Sequence, residues 1–158
     1  MQPEAWLLVR NGLAALLVAL IAGFGLVFAL IGGISLSPLP VFFAWAIPGT
    51  MAGWRTVHIG MLTNGIMGIA LGLLLDKVSL PAARRRFVAL GTITAIWGNF
   101  AFYLFGMFAP NRGLTLGANA QGAASLAGAL AFVPAIIGAV TLMAAVCVLL
   151  GAKPAGRE

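Results

Sequence analysis

Four long runs of apolar residues, almost free of charge, constrain this chain more than any other feature. A helix satisfies its own backbone hydrogen bonds, so it can carry such a run away from water. The runs predict helices over about 5–34, 53–75, 82–109 and 119–151. Crossing a hydrocarbon core takes about 20 helical residues, and each run exceeds that. Only 8% of the residues are charged, against roughly a quarter in soluble proteins. A wetted globular surface is therefore out of reach. The expected fold class is an all-α integral membrane protein, a four-transmembrane-helix bundle forming a single domain over 1–158. The first run is about twice the 7–15 residues of a signal-peptide core. It reads as a membrane helix despite the Ala44-Trp45-Ala46 triplet downstream.

The segments between the runs carry the punctuation. Residues 35–52 contain Pro38, Pro40 and Pro48, which rule out one continuous helix. Phe42, Phe43 and Trp45 make the segment too apolar for a free linker, so it reads as an interfacial or re-entrant loop able to cap a ligand cavity. Lys77 and Arg84-Arg85-Arg86 make 76–86 the densest basic loop. The positive-inside rule places that loop in the cytoplasm, and with four spans both termini follow it there. Arg10, Lys153 and Arg157 agree, while Arg55 and Arg112 fall on the opposite side. The net charge of +6 comes from residues at the ends of the runs. It reads as topology signal and lipid-headgroup contact, not as a nucleic-acid surface.

Small residues recur every fourth position in the second run at Gly60, Asn64, Gly68 and Gly72, and in the fourth at Ala120, Ala124 and Gly128. Such stripes let helix backbones approach closely. Pro134 is expected to kink the fourth helix, and the lone Cys147 to serve packing.

Polar side chains are costly inside a membrane and mark function when present. Serine and threonine can bond to their own helix, which leaves His58, Asn64, Asn99 and Tyr103 as the candidates. His58 is the only histidine. Taking Asp76 and Arg86 as the inner ends of two antiparallel helices, at about 1.5 Å per residue, His58 lies ~27 Å and Tyr103 ~26 Å from that face. Asn64 and Asn99 lie ~18 Å and ~20 Å away. Asn99 and Tyr103 are four apart and share a helix face. His58 and Asn64 are six apart, which turns their side chains roughly 120° from each other. That geometry suits a cofactor held by His58 at a subunit boundary, with Asn64 turned to the bundle interior. Each residue also has a plainer role open to it. A lone histidine can hydrogen-bond at the interface, a tyrosine can belong to the aromatic belt, and an asparagine can tie two helices together.

The inventory excludes much chemistry. No carboxylate lies within a span, and Asp76 is at the far end of the second helix, so neither carboxylate acid–base catalysis nor a Ser–His–Asp set is available. No Gly-rich phosphate loop is present. One histidine cannot make a bis-histidine haem site within the chain, but it can be a single axial ligand with the opposite face open. An open ferric site is a Lewis acid, and neutral donors such as asparagine and tyrosine suit an uncharged oxygen-containing substrate.

Two blocks resemble the styrene oxide isomerase family. One runs from Gly53-Trp54-Arg55 through His58 to Asn64-Gly65. The other is Trp97-Gly98-Asn99-Phe100-Ala101-Phe102-Tyr103-Leu104-Phe105, followed by Pro110-Asn111-Arg112-Gly113-Leu114-Thr115-Leu116-Gly117-Ala118-Asn119. The likeness is detailed over the second and third spans and the loop after them. The first and fourth spans agree in length and character.

This resemblance implies an enzyme of the bacterial inner membrane that isomerises aryl epoxides, such as styrene oxide, to aldehydes, such as phenylacetaldehyde, by a Meinwald rearrangement. It implies a homotrimer with ferric haem b between subunits, and an upstream styrene epoxidase as a functional partner in styrene degradation. His58 would be the axial ligand, Asn64 and Tyr103 would orient the epoxide, and Asn99 would support them. The iron would take the epoxide oxygen, the benzylic C–O bond would open, and a 1,2-hydride shift would complete the aldehyde. Arg112 has the charge for a haem propionate or for a lipid phosphate, and both stay open. Trp97, Phe100, Phe102 and Phe105 are candidates to line an aryl pocket. Some family members carry an acidic residue where Ala95 stands here. Two other readings remain: a haem-binding electron-transfer subunit, which needs a second axial ligand from a partner, and a haem-free small transporter or assembly factor.

Overall fold

The computed structural model describes residues 1–156. Arg157, counted above among the inner-side charges, lies outside the described residues. Among them are four α-helices: α1 (Pro3–Ile31), α2 (Met51–Leu75), α3 (Ala82–Gly106) and α4 (Leu126–Leu150). All four are long and apolar enough to cross a membrane.

Local chemistry sets where each helix begins. Pro3 stands in the first turn of α1, where its missing N–H costs nothing. The Thr50 side chain accepts from Gly53 N at 2.9 Å and caps α2, and Ser125 caps α4 by accepting from Gly128 N at 3.0 Å. The Ser125 cap moves the start of α4 to Leu126, against the 119 expected from sequence. Asn119 instead closes a tight bridge with Gly122. At the other ends, α1 stops at Ile31, three residues short of 34, because Gly32 turns left-handed (φ 71°). The third helix stops at Gly106, not 109. α4 runs unbroken through Pro134. Cys147 is exposed on α4, so it is not a packing residue within this chain.

Two helical hairpins make the bundle. α1 packs along α2, and α3 along α4, while α2 and α1 both meet α3. Glycines permit the closest crossings. A Cβ on Gly12 would sit 2.8 Å from Gly65 O, and one on Gly138 would sit 2.8 Å from Ala95 Cα. Gly68 and Gly72 of the α2 stripe likewise lie against α1, at Gly12 and Val9. Intrachain packing therefore uses this stripe. No more than 39% of any span's apolar window is buried, so most of the helix surface is left for lipid or for other subunits.

Both described ends of the chain meet the α2–α3 turn. Gln2 N donates to Asp76 Oδ1 at 2.8 Å. Strand β3 (Val78–Ser79) pairs antiparallel with β4 (Lys153–Pro154), and Ala155 N donates to Lys77 O at 2.9 Å. At the opposite end, α2 begins at Met51, two residues before the 53 expected, and residues 34–50 form a ribbon in which β1 (Ile34–Ser35) pairs with β2 (Phe42–Phe43). Leu39, Phe42, Phe43 and Trp45 are exposed, so the ribbon presents an apolar surface outward.

Asn111 organises the loop between α3 and α4. It is fully buried. Its Nδ2 donates to Thr115 O at 2.8 Å and Gly117 O at 2.9 Å, and its Oδ1 accepts from Gly113 N at 3.1 Å. Asn119 Nδ2 ties the knot by donating to Asn111 O at 3.0 Å. Truncation would leave a buried N–H and two carbonyls without this partner, each loss costing on the order of 1 kcal/mol or more. Asn111→Ala is expected to destabilise the protein by about 3 kcal/mol. A clear fall in the thermal unfolding midpoint in detergent checks this, and an unchanged midpoint would contradict it.

Candidate active site

Three of the predicted residues meet between α2 and α3. Asn99 Nδ2 donates to Asn64 Oδ1 at 2.9 Å, and Asn64 Nδ2 donates to Tyr103 Oη at 3.3 Å and to Gly60 O at 2.8 Å. Asn64 is buried at 6% exposure, which forces its amide to find partners inside the protein. Gly60 lies face to face with the Tyr103 ring, where a Cβ would collide with Cε2. The glycine stripe of α2 therefore makes the seat for the tyrosine.

The chain of bonds has a direction. Asn99 donates to Asn64, and Asn64 donates to Tyr103. Because Tyr103 Oη is the acceptor, its own O–H is left free to donate elsewhere. Tyr103 lines a cleft of about 150 Å³ with Gly53, Thr56, Phe102, Met107 and Arg112. It is an open, partly polar space beside the N-terminal end of α2, with Tyr103 and Arg112 among its lining residues.

His58 faces the other way. Its Nδ1 lies 2.7 Å from Ala19 O of α1. As donor to that carbonyl, Nδ1 carries the proton, and Nε2 keeps its lone pair. Gly23 of α1 leaves room for the ring, since a Cβ there would sit 3.1 Å from Nδ1. The ring is half-buried at the α1–α2 seam. Its helical neighbours Arg55 and Leu62, at i−3 and i+4, are exposed on the adjoining face of α2. One chain thus directs His58 toward α1 and Asn64 toward α3, as their six-residue spacing implies.

The remaining candidates divide. Arg112 sits in the Tyr103 cleft with φ 58°, a left-handed conformation uncommon outside glycine. The Asn111 knot surrounds it and holds this turn. Phe102 lines the same cleft, and its ring packs edge-on to Tyr103 with centroids 5.8 Å apart. Phe100 lines a separate, wholly apolar cavity of about 260 Å³ with Trp54 and Leu104. Trp97 donates from Nε1 to Asn11 Oδ1 at 2.9 Å and ties α3 to α1. Asn11 escaped notice in the sequence because it follows Arg10 near a helix start and reads as interfacial. Ala95 is buried against Gly138, which leaves no room for an acidic side chain at the present helix spacing.

This geometry offers a neutral donor relay and an imidazole with one nitrogen free, without naming the reaction. Residues 4–153 match the protein family described as styrene oxide isomerase. The chain belongs to the styrene oxide isomerase family. A styrene-oxide isomerase of Pseudomonas fluorescens is 36% identical over 141 residues, covering 88% of this chain and 82% of that protein. The matched span takes in all four helices and each of His58, Asn64, Asn99, Tyr103 and Arg112. Membership in the styrene oxide isomerase family makes the chain an isomerase.

Proposed function

We propose that this chain isomerises aryl epoxides, such as styrene oxide, to aldehydes, such as phenylacetaldehyde, with ferric haem b held between the subunits of a homotrimer. The observation that carries this reading is the division of α2, with His58 on its α1 side and the Asn64–Tyr103 relay on its α3 side. A group bound to His58 of one subunit can then face Tyr103 of the next.

The donor set fits a singly ligated haem. The Ala19 carbonyl fixes the imidazole tautomer and orientation, an arrangement that metal-binding histidines use. Nε2 of His58 would hold the iron. When bound, ferric haem supplies a Lewis acid for the epoxide oxygen.

The chain's own groups do the rest. Tyr103 donates its free O–H toward the developing alkoxide, and Asn64 holds the phenol in place while Asn99 holds Asn64. The charge that appears on oxygen as the benzylic C–O bond opens is met by a donor already oriented. A hydride then moves from the terminal carbon to the benzylic carbon, and the terminal carbon becomes the aldehyde. Every atom of the substrate stays in the product, so no carboxylate base is required. Arg112, at the rim of the same cleft, has the charge to hold a haem propionate. Lys77, Arg84, Arg86 and Lys153 gather at the end where the chain termini meet the α2–α3 turn, which supports an orientation with both termini cytoplasmic in a bacterial inner membrane. An upstream styrene epoxidase would supply the substrate.

The test is direct. Purified protein incubated with styrene oxide is expected to release phenylacetaldehyde without added cofactor, and to show a Soret band. Unreacted epoxide from folded, haem-loaded protein would overturn the assignment.

A further inference from the structure

At the end of the bundle where the chain termini meet the α2–α3 turn, α1 and α3 run side by side and leave a cleft of about 290 Å³. Pro3, Glu4, Leu7, Arg86, Ala89 and Leu90 line it. Its two charged residues have opposite signs. Glu4 lies in the first turn of α1 and Arg86 in the second turn of α3. Glu4 Oε2 is buried and has no hydrogen-bond partner among the described residues. No hydrogen bond from Arg86 reaches it across the cleft. Arg86 is itself exposed.

The walls change character with depth. Leu7 and Leu90 lie three and four residues further along the helices from the charged pair, about 5 Å deeper. Both are partly exposed, at 42% and 44%. Further in, the Asn11–Trp97 bond ties α1 to α3 across the line of the groove. The cleft is thus charged at its mouth and apolar below, at the level where a membrane helix meets headgroups.

We propose that this cleft binds the headgroup of an ethanolamine phospholipid, its ammonium on Glu4 and its phosphate on Arg86. Glu4 and Arg86 offer the cleft a negative and a positive group, and an ethanolamine headgroup carries the complementary pair in one zwitterion; its primary ammonium has N–H donors for a carboxylate, which a trimethylated one lacks. An anionic headgroup such as glycerol phosphate brings no cation to Glu4 and meets its repulsion. Leu7 and Leu90 then receive the first methylenes of an acyl chain. This site is separate from the Tyr103 cleft and from His58, and it does not depend on the reaction assigned above.

Native mass spectrometry of the full-length protein in detergent tests the proposal, with dioleoyl phosphatidylethanolamine, phosphatidylcholine and phosphatidylglycerol added in turn at equal concentration. Wild type is expected to retain the ethanolamine lipid about tenfold over either competitor, in line with one charge-assisted hydrogen bond. Glu4→Gln should erase the preference over phosphatidylcholine, and Arg86→Gln should lower retention of all three lipids. Equal retention of the three lipids by wild type would overturn the proposal without recourse to any variant. So would a preference that survives intact in both variants.

Discussion

Purified His58→Ala protein is expected to lack a Soret band and to isomerise styrene oxide at least about a thousandfold more slowly than wild type. The structure leaves one imidazole nitrogen free after Nδ1 has been taken by Ala19 O, and the chain contains no second histidine to replace it. Loss of a Lewis acid forfeits several kcal/mol of transition-state stabilisation, and about 4 kcal/mol corresponds to a thousandfold. Alanine leaves a small void at a half-buried helix seam, so the fold should survive. Visible spectroscopy and aldehyde release measured on the same sample check the prediction. Wild-type haem content in the variant would remove His58 as the ligand.

Tyr103→Phe is expected to lower kcat by about 10²–10³, the cost of deleting one oriented donor to a developing oxyanion. The Soret band should stay unchanged, because the ring still packs over Gly60 and His58 lies on the other side of α2. Asn64 then loses one acceptor but keeps Gly60 O and its bond from Asn99. Global destabilisation should therefore be small, on the order of 1 kcal/mol. Steady-state kinetics beside a thermal melt separates the two effects. A variant with wild-type kcat would show that the phenol does not meet the substrate oxygen.

Much of this arrangement is legible in the sequence because a membrane chain has few polar groups to spend. Long apolar runs fix the helices. The rise per residue is enough to pair Asn64 with Asn99, which the structure joins by a hydrogen bond. It sets Tyr103 level with His58 instead, whereas in the structure the phenol reaches Asn64, because a helical side chain leans toward the N-terminal end of its own helix. The angle between His58 and Asn64 follows from the helical repeat, and their partners, Ala19 and Tyr103, lie on different helices.

What the sequence conceals depends on partners far along the chain or on irregular backbone. Asn11 meets Trp97 across 86 positions, and no periodicity announces that contact. Asn111 sits in a loop whose order comes from side chain to backbone bonds, so neither hydropathy nor helix propensity reports it. The start of α4 is blurred by the small residues 120–124, until the Ser125 cap decides it. Arg86 reads as a topology signal, and only the packing of α1 beside α3 reveals that it shares a cleft with Glu4.

In the proposed enzyme, His58 of one subunit acts together with Tyr103 of the next. Co-expression of His58→Ala and Tyr103→Phe chains in equal amounts tests it most directly. With random assembly, about one boundary in four then combines an intact His58 from one chain with an intact Tyr103 from the next, following the head-to-tail symmetry of a cyclic oligomer. Recovery of about a quarter of wild-type activity is expected in the mixed oligomers. Activity no greater than that of the two variants assembled separately would place both residues in a site within one chain and contradict it.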